Sequence, residues 1–289
     1  MTTPTAAPRR VPKLGRERLA AVGFALPALV VLMALFVAPL AVLFAASMRG
    51  PDGPTLDHYG RLLGSATYLG VIWNSVKLAL ETTTIALIVG YPAAFAIGRA
   101  RGALRSLLLA SLFLPLAASV IVKAFAWTIL LRSDGLVNLA MMALGLTQAP
   151  VRLIFTETAL IAGSVNIFLP YMILPIYTVV AQFDRRLVEA AATLGASPVE
   201  AFLRVVVPLT LPGVIAGVAL VFSLSVSAYV VPTLLIGERY QTLTTLIAKA
   251  YLLAQQPEFG AAAGVVLLLI AVVVVTLSAR FGRPVRGRS

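Results

Sequence analysis

The sequence predicts an all-α integral membrane protein with six transmembrane helices and both termini on the cytoplasmic side. Three observations carry this. Of its 289 residues, 60% are apolar and 12% are charged, where an ordinary soluble domain carries roughly 45–50% and about 25%. The apolar residues gather in six long runs with few or no charges. The 23 Lys and Arg, against 11 Asp and Glu, fall mostly in alternate segments between those runs. Such apolarity excludes a disordered chain and argues against a soluble enzyme. With one His and no Cys, there is no disulfide framework, no thiolate nucleophile and too few ligands for a metal site.

Residues 1–19 read as a cytoplasmic tail. Pro4, Pro8 and Pro12 suit a linker up to about Lys13. Residues 20–48 form the first span. Its apolar stretch is about twice the 7–15 residues of a signal-peptide core, so it is expected to be retained rather than cleaved. Val71–Gly98 holds only Lys77 and Glu81, and Ser106–Leu131 only Lys123. Thr158–Phe183, Val205–Gly237 and Phe259–Ala279 hold no charge. Each run exceeds the ~20 helical residues that cross ~30 Å of hydrocarbon. Residues 281–289 are a second cytoplasmic tail.

Orientation follows from the basic residues. Fifteen of them lie in the N-terminal tail, the 99–105 loop, the 184–204 segment and the C-terminal tail, giving that side a net charge of +11. The other side holds six (Arg49, Arg61, Arg132, Arg152, Arg239 and Lys249), balanced by six acids. Lys and Arg accumulate on the cytoplasmic side, which fixes the orientation. The overall +12 would suggest a nucleic-acid binder in a soluble protein. Here it reports topology, and no nucleic acid is expected as a partner.

The longest cytoplasmic segment between spans is 184–207. Asp184 can cap a helix through Leu194, with Ala190, Ala191 and Ala192 as strong helix formers. Gly195 stands where a helix ends on a left-handed residue. Ser197-Pro198-Val199-Glu200 then restarts a helix as a capping box with Pro at its first position. Leu187, Ala191 and Leu194 share one apolar face. That face suits either a groove on another protein or the membrane surface.

These residues resemble a known family. Glu189-Ala190-Ala191, Gly195 after three residues, and Val205-x-Val207-Pro208 after nine more follow the EAA motif of ABC importer permeases. Val replaces the usual Ile at 205 and Leu at 207. The resemblance covers residues 71–280, the extent of the type I (MetI-like) transmembrane domain of those importers. It implies that Glu189, Ala190, Ala191, Gly195 and Pro208 belong to a coupling helix docking on a cytoplasmic ATPase dimer. It also implies a second permease subunit, a periplasmic or lipid-anchored substrate-binding protein, and a bacterial inner-membrane location. The chain itself would be no enzyme and hold no cofactor, with ATP and Mg on the partner ATPase. In agreement, no Lys here follows a Gly, so there is no phosphate-binding P-loop.

Other stretches resemble the spermidine/putrescine branch, in the position of its B-type permease subunit. They include Ala124-Phe125-Ala126-Trp127, Gly135-Leu136-Val137-Asn138, Leu169-Pro170-Tyr171-Met172 and Ala228-Tyr229-Val230-Val231-Pro232. The resemblance implies uptake of a small organic cation, a polyamine. Permeases for ferric iron, phosphonates, opines or amino-acid-like solutes share much of this texture and stay open, as does a stand-alone secondary transporter.

Ionisable residues inside a membrane usually face a cavity or a partner. Lys77 and Glu81 lie ~9 and ~15 Å into the second span at ~1.5 Å per residue, and their spacing of four places them on one face. They read either as a packing pair or as part of a substrate path. Lys123 reads as a snorkelling side chain or a cationic gate. Glu157, at the outer start of the fourth span, reads as a residue lining the mouth of a substrate path or as one sitting in the interface. Tyr171, Tyr177 and Tyr229 offer faces for a cation or belong to the core. Pro92, Pro115, Pro170, Pro175 and Pro232 interrupt spans, as proline does at hinges. His58 receives no role.

Overall fold

A computed structural model describes residues 14–184 and 186–281. The N-terminal tail as far as Lys13, Arg185, and residues 282–289 of the C-terminal tail lie outside the described residues. The five long helices with apolar windows long enough to cross a membrane are α1 (Leu14–Ser47), α3 (Ala66–Arg99), α7 (Glu157–Ala181), the continuous stretch Pro198–Val226, and α13 (Pro257–Phe281). Between α1 and α3 lie a two-stranded turn, Arg49–Gly50 with Gly53–Pro54, and α2 (Asp57–Gly64).

The third expected span differs from a straight helix. It consists of α4 (Gly102–Ala117) and α5 (Val120–Leu130), bent by 100°. Ala118 and Ser119 are both extended, and the Ser119 hydroxyl accepts from the Ile121 N–H to start α5. Hydropathy runs unbroken across this bend, so composition could not show it. The pair counts as a broken span or a re-entrant hairpin, giving five or six crossings among the described residues.

The fifth expected span, Val205–Gly237, also ends early. The stretch Pro198–Val226 comprises α9 (Pro198–Ala201), a π-helical turn Phe202–Val206, and α10 (Val207–Val226). Ser227 then turns the chain into the short α11 (Val230–Leu235). Segments outside the long spans fold into further helices: α6 (Leu136–Ala143), α8 (Arg186–Thr193) and α12 (Leu243–Leu252), the last opened by a Thr242/Thr245 capping box.

The centre of the fold is α3, α7 and α10. A hydrophobic cluster of Leu78, Ala86, Leu160, Ile167, Met172, Ile176 and Val221 joins them. α7 is apolar all round because neighbours surround it, as expected of a buried helix. Close approach is set by small residues. Met172 lies against both Gly90 of α3 and Gly217 of α10, and Gly213 meets the α7 backbone at Pro175 and Ile176. In lipid, helix association depends on such packing rather than on the hydrophobic effect. α1 packs on α13, with Leu43 over Gly264, and its Ser47 hydroxyl lies 2.7 Å from that of Tyr59 in α2; residues 26–39 are exposed. A second cluster, including Leu62, Val71, Leu243, Leu246 and Phe259, joins α2, α3, α12 and α13. Arg61 of α2 closes it, donating to Gln256 and Tyr68 with its guanidinium 4.6 Å from the Phe259 ring.

Candidate functional site

Two groups of residues stand out, one at each end of the α3–α7–α10 core. The first is the 184–208 segment, whose predicted caps and turn are present atom by atom. Asp184 Oδ1 accepts from the Arg186 N–H at 2.9 Å. At the other end of α8, Gly195 N–H donates to Ala192 O and Ala196 N–H to Ala191 O, both at 3.0 Å. This pair of bonds is a Schellman ending. It needs a left-handed residue at 195, and Gly195 has φ +86°. Ser197 Oγ then accepts from Glu200 N–H, while Glu200 Oε2 accepts from Ser197 N–H. Two short helices are therefore locked at a fixed angle by backbone bonds and two side chains.

No residue of α8 is buried. Leu194 is 89% exposed and Leu187 47%, so the apolar face read from the sequence is uncovered in the single chain. Glu189 lines a cleft of about 430 Å³ with Phe95, Arg99, Phe183, Pro198 and Phe202.

Pro208 acts on the backbone. It has no N–H to give to Arg204 O, the bond an α-helix would place there. The π turn Phe202–Val206 precedes it, and Val207 N–H reaches back to Phe202 O. The sequence reading missed this turn; Pro208 was the signal. The turn is tied to α3: Phe202 meets the Tyr91 ring edge-on at 6.3 Å, and the Tyr91 and Thr210 hydroxyls are 2.9 Å apart.

The second group lies where α3 meets the start of α7. Lys77 Nζ is 2.5 Å from Glu157 Oε1 and 3.9 Å from Glu81 Oε1. The i,i+4 pair foreseen on α3 is present, but the shorter contact crosses to α7. Thr156 caps that helix, its hydroxyl accepting from Ala159 N–H. Glu157 thus sits at the positive end of the helix dipole, which favours its carboxylate. Two residues had no signal in the sequence. Tyr240 donates to Asn74 O, and Asn74 donates to Gln241 O, both at 3.1 Å. Burial, and then the Glu157 and Glu81 carboxylates, push the Tyr240 phenol above its usual range.

The other candidates disperse. Tyr229 is exposed and lines a separate cleft of about 270 Å³ with Thr233, Glu238, Gln241, Thr245 and Lys249. Lys249 is held by Glu238 at 3.4 Å. Tyr171 is partly buried against the α3–α7–α10 core. Tyr177 is engaged by a cation of the chain itself, since Arg105 donates to its hydroxyl from α4. Lys123 is partly buried near the start of α5, in no ion pair among the described residues. It does not join Lys77, Glu81 and Glu157.

The structure thus joins a core of helices long and apolar enough to cross a membrane to a capped pair of short helices, the first of them unburied, at one end. Residues 139–287 match the family of the binding-protein-dependent transport system inner membrane component, and the chain belongs to that family. Its relatives include the spermidine/putrescine transport system permease protein PotB of Haemophilus influenzae, 34% identical over 216 residues that cover 75% of each chain. PotB of Escherichia coli K12 is 35% identical over 216 residues, covering 75% of this chain and 78% of its own. A crystal structure of a bacterial ABC transporter that imports the acidic polysaccharide alginate shares the fold. It has a TM-score of 0.76 at 18% identity and covers 94% of this chain and 97% of its own. The expected type I ABC importer permease fold is thus borne out.

Proposed function

We propose that the chain is the permease subunit of a binding-protein-dependent ABC importer in a bacterial inner membrane, forming half of the pathway for a small organic cation of the polyamine class. The substrate class rests on the likeness to PotB and on the two carboxylates, Glu81 and Glu157, that share one ammonium in the membrane domain. The remaining half of the pathway is a second permease subunit. A substrate-binding protein delivers the solute, and ATP with Mg is held by a cytoplasmic ATPase dimer. A crystal structure of the alginate transporter in complex with a pentasaccharide-bound periplasmic protein, TM-score 0.75 and 18% identity over 97% of this chain, supports the kind of assembly.

The observation that carries the mechanism is the rigid α8–Gly195–α9 unit, continuous through the π turn with α10. In this reading α8 docks on the ATPase through Leu187, Leu194 and Glu189. Movement of the ATPase then passes along α10 and, through Tyr91, Phe202 and Thr210, to α3. Both termini and α8 face the cytoplasm, and Lys77, Glu157 and Tyr229 face outward. Calorimetry of the associated binding protein against a ligand panel tests the substrate class. Spermidine or putrescine as the tightest ligand supports it, and tight binding of an anionic or neutral solute with no polyamine binding overturns it.

A further inference from the structure

We propose that Lys77 is an internal stand-in for a substrate ammonium, and that an incoming organic cation gains Glu157 and Glu81 by displacing it. This rests on the polyamine reading above and adds a residue that sets the strength of cation binding.

Two carboxylates face one ammonium, while Lys249, in the neighbouring cleft, is held by Glu238. The sharing is unequal. Lys77 Nζ bonds Glu157 Oε1 at 2.5 Å, but Glu81 Oε1 at 3.9 Å is beyond hydrogen-bond reach and is held by charge alone. The other oxygen, Glu81 Oε2, is buried with no hydrogen-bond partner among the described residues. The group therefore has acceptor capacity that Lys77 leaves unused. The three side chains are partly exposed, 33%, 35% and 42% for Lys77, Glu81 and Glu157, and the buried Glu81 Oε2 is offered to an incoming cation when that carboxylate turns.

A lysine ammonium and the primary ammonium of a polyamine are the same chemical group, three donors on a flexible alkyl stem. They compete for the same oxygens. A free diammonium bridges two carboxylates, which a single tethered ammonium does unevenly here. Because Lys77 belongs to α3 and Glu157 to α7, exchange also removes the ion pair between the two helices, while their apolar packing at Leu78 and Leu160 stays.

A pair that only packs α3 against α7 behaves differently. Breaking it from either side has the same effect. If Lys77 is a competitor, the two sides act in opposite directions. The test is equilibrium binding of tritiated spermidine to the full transporter, both permeases with the ATPase, in nanodiscs without binding protein. Lys77→Met is expected to tighten binding roughly two- to fivefold, and Glu157→Gln to weaken it by a similar factor, the worth of a partly exposed ion pair. Lys77→Gln, which keeps a donor for Glu157, replaces the Met variant if that one fails to assemble. Shifts in the same direction, or no shift, overturn the inference. If the wild type binds no spermidine in nanodiscs yet imports it with binding protein and ATP, the inference fails and the polyamine reading stands. If it does neither, the polyamine reading fails and the inference with it.

Discussion

Gly195 carries a φ of +86°, and a Cβ built there would have nothing within 4 Å. The demand is conformational, not steric. A left-handed backbone costs an L-residue roughly 1–2 kcal/mol. Gly195→Ala and Gly195→Leu should therefore loosen the turn to a similar extent, while Gly195→Asn, which tolerates that region, should do least. Solute imported per ATP hydrolysed in the reconstituted transporter should fall for Ala and Leu. A Leu variant with unchanged coupling would contradict the role given to this turn. Ser197→Ala removes the cap of α9 at a cost of about 1 kcal/mol. Amide exchange at Glu200 and Ala201, which bond to Ser197, should then quicken about fivefold, with the spans unaffected; unchanged exchange would mean that Pro198 alone fixes the turn. The caps and the glycine turn were legible because they are local, with every partner within five residues. The Lys77–Glu157 contact spans 80 positions, and no spacing rule reaches that far. Tyr240 and Asn74 were invisible for the same reason.

At the scale of elements, two glycines of α10 separate tight packing from mere smallness. A Cβ at Gly213 would meet the α7 backbone, 2.8 Å from Pro175 O and 3.0 Å from Ile176 Cα. At Gly217 it would meet Met172 Sδ at 2.8 Å, the movable end of a flexible side chain, and backbone no nearer than Met172 O, 3.1 Å away and looser than either backbone contact at Gly213. Overpacking costs about 1–3 kcal/mol when the neighbour cannot give. Gly213→Ala should thus lower the thermal midpoint in detergent clearly more than Gly217→Ala. Equal losses would show that Met172 is as immobile as backbone. Long charge-free runs announced the spans, and their ends came within a few residues for α3, α7 and α13. Breaks inside an apolar run were not announced. The α4–α5 bend follows from two extended residues, Ala118 and Ser119, in a stretch whose hydropathy never falls. The π turn before Pro208 follows from one missing N–H.

For the whole molecule, the basic residues argue that α8 is cytoplasmic and the 132–134 turn external. The chain has no Cys, so single cysteines report sidedness without background. A membrane-impermeant maleimide added to intact cells should label Ser133→Cys and leave Ala192→Cys unmodified until the membrane is opened; both positions are exposed. The reverse pattern would invert the topology. Family membership was legible from the spacing of Glu189, Gly195 and Pro208. Lys77, Glu81 and Glu157 are brought together by folding, which a linear motif does not record. The most direct test is uptake of tritiated spermidine into proteoliposomes holding this chain with its second permease and ATPase. Uptake that needs both ATP and the binding protein, and stops when either is withheld, is the predicted result. Spermidine uptake by this chain alone, without ATP, or no polyamine uptake by the complete assembly, would contradict it.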